Sequence, residues 1–371
     1  MKVAIIMPLG EKRGGGEKRL WDLMQEGRDP EIEWLVIFQQ DGTLVEDIRN
    51  LGIQVRVVPS GRLRQPHIMI SSILKMASIV KQEQVDVILS WMWKPYIYGF
   101  PVAALTGVTS LWSQLETPNG HWLKNLVTAL PTDGMFINSQ AGKKTLEKAY
   151  PDRPLSMVYP GVALDHFDPA KLKNSTEIRH KLGLPLKSPI IGIVGRLQRW
   201  KGMHVLLEAM PQIIEQYPDA HCLIVGGKHK TDPDYETYLR ERTRFLRIEK
   251  QVIMAGHQQN IPEWMQSMDI VVHASNNEPF GIVVVEAMAL GKPIIAANNG
   301  GPTEIITHGE NGLLVPYGDV AALQHSLLNY LSDRQFAARL GMAAQKRATD
   351  FSTERYAENF IQGIYDLTQA A

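Results

Sequence analysis

A single cysteine, Cys222, is all the thiol this 371-residue chain contains, so no intrachain disulfide can stabilise it. It falls in the apolar stretch 222–225, where a buried, inert thiol is expected rather than a nucleophile. Apolar runs of membrane-spanning length are missing. The opening stretch 2–8 is too short for a signal-peptide core and reads as a strand, which points to the cytoplasm. An excess of either charge is missing too, since 39 Lys and Arg balance 39 Asp and Glu. The balance holds along the chain, with 18 of each sign up to Asp168 and 21 of each beyond it. That gives no support for a nucleic-acid-binding surface, and none is expected as a partner. The Gly-x-Gly-x-x-Gly dinucleotide fingerprint is likewise missing, which counts against a nicotinamide-dependent enzyme.

What the chain does have is length and rhythm. A chain of 371 residues exceeds what one hydrophobic core usually supports, and 44% apolar with 21% charged residues is ordinary for a globular enzyme. Apolar runs at 3–8, 34–38, 55–59, 85–90, 110–115 and 135–138 read as strands. Helical patterns near 18–25, 68–81, 96–105, 123–130 and 141–150 separate them. Around Tyr159 to Pro169 the pattern loosens into proline- and glycine-marked coil, and the alternation then restarts with strands at 190–194, 222–225, 252–255, 270–274, 293–297 and 313–316. Alternation of this kind predicts an α/β fold with parallel sheets covered by helices on both faces. The expected domains are 1–165 and 166–352, each doubly wound. The stretch 68–81 has apolar residues at helical spacing with Arg62, Arg64, Lys75 and Lys81 around it. A core-facing helix is the expectation, and a membrane-surface helix is the alternative.

Three segments carry chemistry. Glu278 and Glu286 lie eight residues apart, at the two ends of a turn from the strand at 270–274 into a helix at 281–290. Glu278 therefore belongs to the carboxyl edge of a strand, where open α/β sheets bind ligands, and the N–H groups opening the next helix face any anion bound there. A carboxylate such as Glu286 among Val284, Val285, Ala287 and Met288 is costly to bury unpaired. The pair suits an elongated molecule that carries both hydroxyls and phosphates, such as a sugar nucleotide. Gly14, Gly15 and Gly16 follow the first strand; without Cβ atoms they let backbone approach a phosphate closely. Arg196 and Lys201 follow the strand at 190–194, where two cations can converge on a departing diphosphate.

Taken together, 278–288 resembles the donor-binding motif of the retaining glycosyltransferases of family 4, which have the GT-B fold. The loop 195–202 resembles that family's Gly-Arg-x-x-x-x-Lys-Gly motif, and the loop 14–17 its Gly-Gly-x-Glu turn. Residues 256–262 look like the turn that holds the nucleobase, with His257 in a positioning role. Residues 300–306 and 309–315 follow the family's later, structural pattern. The resemblance implies two Rossmann-like domains facing across a cleft, acceptor side first and donor side second, with 353–371 crossing back onto the first. It implies a nucleotide-sugar donor, UDP- or GDP-linked, and a glycan, lipid-linked or small-molecule acceptor. No cofactor and no metal are expected, and peripheral contact with the inner face of a membrane is carried as an expectation for the first domain.

By the same analogy Glu278 positions the sugar, helped by the backbone at Phe280, Gly281 and Ile282. Glu286 binds the ribose, and Arg196 with Lys201 stabilises the leaving diphosphate. One departure stands out. Many family members carry a histidine near the end of a strand in the middle of the first domain, where this chain reads Ser110 to Thr117 without one. Gln114 or Glu116 is the candidate to line that sugar site, and His121 follows a few residues later as an alternative. Two other readings stay open: a non-catalytic sugar-nucleotide-binding subunit, and a sugar-nucleotide epimerase of the same architecture, against which the paired glutamates argue.

Overall fold

The computed structural model describes residues 1–11, 14–61, 64–114 and 122–369. It divides the chain into two compact units, Met1–Gly161 with Thr353–Ala371 and Val162–Ser352. The chain first changes unit at Gly161, slightly ahead of the boundary expected at 165.

The first unit is built on β1 (Lys2–Met7), β2 (Glu33–Phe38), β3 (Gln54–Val57), β4 (Val87–Trp91), β5 (Thr109–Ser113), β6 (Gly134–Ile137) and β7 (Leu155–Met157). They form one sheet in the order β3-β2-β1-β4-β5-β6-β7, with every pairing parallel. The second unit has β8 (Ile190–Val194), β9 (His221–Val225), β10 (Val252–Gly256), β11 (Ile270–His273), β12 (Ile294–Ala297) and β13 (Leu313–Val315). Their order is β10-β9-β8-β11-β12-β13, again all parallel. Each sheet therefore starts at its middle, winds one way for three strands, and returns to wind the other way. The reversal falls between β1 and β4 in the first unit and between β8 and β11 in the second.

The residues explain the layering. A strand covered by helices on both faces has no solvent side, so it is apolar throughout instead of alternating. Strands β4 and β8 are buried along their whole length. In the second unit Ile191, Ile193, Cys222, Ile224 and Val272 pack with Met203, Leu206, Leu207 and Met210 of the helix Met203–Gln216 in one core. Burial pushes the Cys222 thiol up to about 12, which makes it inert.

The helix Pro66–Gln82 turns Ser72, Ile73, Met76, Ala77 and Val80 inward. Ile70 and Leu74, one turn apart on it, are 55% and 57% exposed. Arg62 lies outside the described residues. Among the described residues no helix is long and apolar enough to cross a membrane. The last helix, Thr353–Gln369, packs Tyr356, Ala357, Phe360, Ile364 and Leu367 into the core of the first unit. Phe360 stacks on Phe136 at 4.1 Å between ring centroids and lies 5.5 Å from Trp91. Gly134 and Gly363 are small for this reason: a Cβ on Gly134 would sit 2.8 Å from Leu367, and one on Gly363 2.6 Å from Phe136.

Candidate functional site

The switch point of the second unit is a junction of two loops. One follows β8 and runs from Gly195 to Gly202; the other follows β11 and runs from Ala274 to Gly281. Because β8 and β11 are neighbours, side chains on these loops meet although 77 positions separate them. A crevice outside the carboxyl ends of such strands is where open α/β sheets take ligands.

Each loop is held from below. The backbone N–H of Asn276 donates to the carbonyl of Trp200 at 2.7 Å, which ties the two together. Gly202 has φ 74° and caps the helix Met203–Gln216, and a Cβ on it would lie 2.0 Å from the Ala274 carbonyl oxygen. Only glycine fits that approach. On the other side, the Arg199 N–H donates to Asp232 at 2.7 Å and the Gln198 amide donates to Thr231 at 2.8 Å. The Glu278 loop rests on Asn299 to Gly301. The Asn277 N–H donates to Asn299 Oδ1 at 3.0 Å, and the Gly301 N–H to the Glu278 carbonyl at 2.7 Å.

That seat yields a testable consequence. A Cβ on Gly301 would stand 2.1 Å from the Phe280 carbonyl oxygen and 2.2 Å from its Cα, so Gly301→Ala must displace the loop. We expect the variant to lose about 3 kcal/mol of stability, read as a lowered urea midpoint. An unchanged midpoint would show that this turn does not seat the Glu278 loop.

The loops bring three polar side chains to one point. Lys201 Nζ donates to Glu278 Oε2 at 2.5 Å, and both side chains are 13% exposed. His273, the last residue of β11, places Nε2 at 3.2 Å from the same oxygen. Burial pushes the Glu278 carboxyl up. The hydrogen bond from His273 and the charge of Lys201 outweigh that and hold it down at about 2. Glu278 is thus a fixed anion with one oxygen shared by two donors. The Lys201 ammonium also lies 4.1 Å from the centroid of the Trp200 ring, a cation–π contact that orients it.

Around this trio the other expected residues take separate stations. Arg196 is exposed on the β8 loop, its Nη1 3.5 Å from His229 Nε2. It shares the loop with Lys201 but does not join the pair. Gly281 has φ 107° and opens the helix Ile282–Ala289 without a side-chain cap, so the first N–H groups of that helix have no such partner. Phe280 is buried, its ring edge-on to Phe351 at 5.6 Å. Glu286 is half-buried on that helix, among buried Val284, Val285, Ala287 and Met288. His257 is exposed just past β10, its Cβ 2.9 Å from where a Cβ on Gly227 would be.

The remaining expected residues belong to the first unit. Gly14 and Gly15 open the helix Gly15–Glu26 past β1, with no side-chain cap at Gly14 and nothing within 4 Å of a Cβ on Gly15. Gly16 is in that first turn, and its carbonyl accepts a hydrogen bond from the Trp91 indole at 2.9 Å. Gln114 is buried immediately past β5, its N–H donating to the Phe136 carbonyl at 2.8 Å. Glu116 and His121 lie outside the described residues. Among the described residues no group of three or more His, Cys, Asp or Glu side chains forms a metal-binding set.

Sequence reasoning missed His273. It was visible as a histidine inside an otherwise apolar strand, five residues before Glu278. Read as strand filler, its imidazole carried no sign that it would point at a carboxylate.

Comparison with known proteins gives a consistent picture. A family model described as "Glycosyl transferases group 1" matches residues 174–347, and one described as "Glycosyltransferase Family 4" matches residues 13–166. A D-inositol 3-phosphate glycosyltransferase of Corynebacterium urealyticum is 33% identical over 236 residues, covering 62% of this chain and 56% of that protein. A lipopolysaccharide core biosynthesis mannosyltransferase, LpsB of Rhizobium meliloti, is 28% identical over 59% of this chain and 62% of its own length. The chain thus spans little more than half the length of the curated relatives it matches. Among solved structures, Anabaena Alr3699/HepE in complex with UDP superposes with a TM-score of 0.85 at 25% identity, covering 99% of this chain and 100% of that one. The same protein in complex with UDP-glucose gives 0.79 at 25% identity, with coverage of 99% and 100%.

Proposed function

Because the chain belongs to the family 4, group 1 glycosyl transferases with the GT-B fold, we propose that it moves a hexose-type sugar from a UDP- or GDP-sugar to a hydroxyl of a glycan, lipid-linked or small-molecule acceptor. The observation that carries this reading is the Lys201–Glu278 pair at the switch point between β8 and β11. A sugar nucleotide presents hydroxyls beside a diphosphate, and the pair presents a fixed carboxylate beside an ammonium. Glu278 accepts hydrogen bonds from the sugar hydroxyls. Lys201, with Arg196 from the same loop, offsets the charge that develops on the departing diphosphate. Glu286 accepts from the ribose hydroxyls, and the N–H groups of the first turn of Ile282–Ala289 face the phosphates. His257 adds to this donor site from the turn after β10; of the first unit's residues, Gly14, Gly15 and Gly16 are proposed to take a phosphate and Gln114 to serve the sugar or the acceptor.

In the proposed step the acceptor oxygen attacks the anomeric carbon on the face from which the diphosphate leaves. The bond from that carbon to the phosphate oxygen breaks, the acceptor's proton passes to a phosphate oxygen, and configuration is retained. The cations do the electrostatic work, so the reaction requires no metal. Uridine is favoured as the base by the UDP and UDP-glucose complexes of HepE.

A melting panel with UDP, GDP, ADP and their common sugar conjugates, each with and without EDTA, tests the reading. A nucleotide at a hundred times its dissociation constant stabilises the folded state by about 2.7 kcal/mol. We expect one base to raise the melting temperature clearly, equally with EDTA present, and its sugar conjugate to release nucleotide slowly in the absence of acceptor. No shift with any nucleotide would overturn the donor site, and a shift abolished by EDTA would overturn the metal-independent step.

A further inference from the structure

The Glu278 carboxylate has two donors on one oxygen, and they differ in what else they can do. Lys201 ends in a three-proton ammonium on a flexible stem, and under the proposed function it serves the diphosphate. His273 is 3% exposed and anchored in β11, with Glu278 as its charged partner. Among the described residues its buried Nδ1 has no hydrogen-bond partner, and Nε2 lies between Glu278 Oε2 at 3.2 Å and Ser275 Oγ at 3.3 Å. A proton on Nδ1 would leave a buried donor unmet and turn a lone pair of Nε2 toward a carboxylate. The proton therefore sits on Nε2, where it has an acceptor.

We propose that His273 is the positioning residue of the site: its Nε2–H holds the Glu278 carboxylate in place and ionised when a bound diphosphate draws Lys201 away. The idea rests on the donor-site reading above. The argument is one of competition. With the site empty, Lys201 and His273 share the work of holding Oε2. When two negative phosphates arrive, the ammonium reorients toward them, because it gains charge-assisted hydrogen bonds there. Glu278 must still face the sugar, and a carboxylate buried to this degree without a donor would take up a proton or swing away. The imidazole cannot follow the phosphates, being fixed in the sheet. It is the donor that stays.

The groups that face Glu278 among the described residues are Lys201 from the β8 loop and His273 from β11. Removing His273 leaves burial opposed by Lys201 alone, so the carboxyl must move upward.

The experiment compares the wild type with His273→Phe, which fills the space without a donor, and His273→Gln, whose amide restores one. Two readouts are taken on each. The first is the Glu278 carboxyl followed by 13C NMR in glutamate-labelled protein, assigned with Glu278→Gln. The second is nucleotide release from UDP-glucose, with kcat and KM resolved and followed against pH. In the wild type the Glu278 signal should stay that of an ionised carboxyl down to acid unfolding. In His273→Phe it should titrate at least one unit higher. In the same variant kcat should fall tenfold or more with KM within about twofold, and the acid limb of kcat should move up. His273→Gln should recover most of each. Equal carboxyl titration in all three proteins overturns the proposal, and so does a shifted titration with kcat unchanged. If the wild type releases no nucleotide, the donor reading fails by itself and the NMR titration decides the part played by His273.

Discussion

Glu278→Gln should reduce transfer by about 10³-fold or more while leaving nucleotide diphosphate binding intact. The substitution keeps the size and one acceptor oxygen but removes the charge, so what is lost is the electrostatic part of the contact with the sugar. Groups aimed at the charge that develops in a transition state are worth roughly 10²–10³ in rate each. Loss of a fixed anion 2.5 Å from Lys201 also mis-sets the group proposed to meet the leaving diphosphate. Nucleotide affinity should move the other way if it moves at all. Under the proposed function the diphosphate competes with Glu278 for the Lys201 ammonium in the wild type and has no such competitor in the variant. Calorimetric titration with the nucleotide that wins the melting panel should give a dissociation constant equal to the wild type's or a few-fold tighter. A variant with full turnover would remove Glu278 from the reaction. One that binds nucleotide tenfold more weakly would show that the carboxylate had been supporting the nucleotide side.

Lys201→Ala should cost both activity and stability, and the stability loss should depend on pH. With the ammonium gone, the Glu278 carboxylate is left with His273 alone. Breaking one side of a buried ion pair typically costs about 3–5 kcal/mol, because the surviving charge stays desolvated. Both side chains are 13% exposed, so solvent relieves little of it. In the wild type the Glu278 carboxyl is held at about 2, below its ordinary 4.5. It therefore contributes stability above about pH 4.5, and that contribution fades as pH falls toward 2. In the variant His273 still holds the carboxyl down but burial is opposed by less, so its ionised form favours folding less than in the wild type. The gap in melting temperature between the two proteins should then be widest near neutrality and narrow steadily below about pH 5. Donor KM should rise about tenfold and kcat fall about 10²-fold, since under the proposed function the same cation serves ground state and leaving group. A gap that is flat with pH, or kinetics like the wild type's, would place Lys201 outside the site.

Much of this architecture is legible in the residues, for a physical reason. Parallel strands buried on both faces are apolar throughout, so 190–194 announces β8 residue for residue and 270–274 overshoots β11 by one. Where burial is partial, the signal thins. β7 (Leu155–Met157) is three half-buried residues at the sheet's edge, too short for a period to register. The helix Thr43–Asn50 is eight residues long and has only three buried positions, and it went unread for the same reason. At the site, Glu278 and Lys201 are visible one at a time, each at a strand end. Their contact is not, because it depends on β8 and β11 being neighbours. Strand order in a doubly wound sheet comes from tertiary packing, and no local pattern encodes it. His273 was hidden by its own strand.

The return of Thr353–Gln369 to the first unit sets a timetable for synthesis. A ribosome delivers β1 to β7 first, yet Phe360, Ile364 and Leu367 belong to their core and emerge only after the whole of Val162–Ser352. At the usual elongation rate of about 5–20 residues per second, that interval lasts on the order of 10–40 s. Throughout it Trp91 and Phe136 lack the ring that later covers them. Of the two units the one begun earlier is completed later, and until Thr353–Gln369 emerges the nascent chain carries an open apolar face that this helix closes.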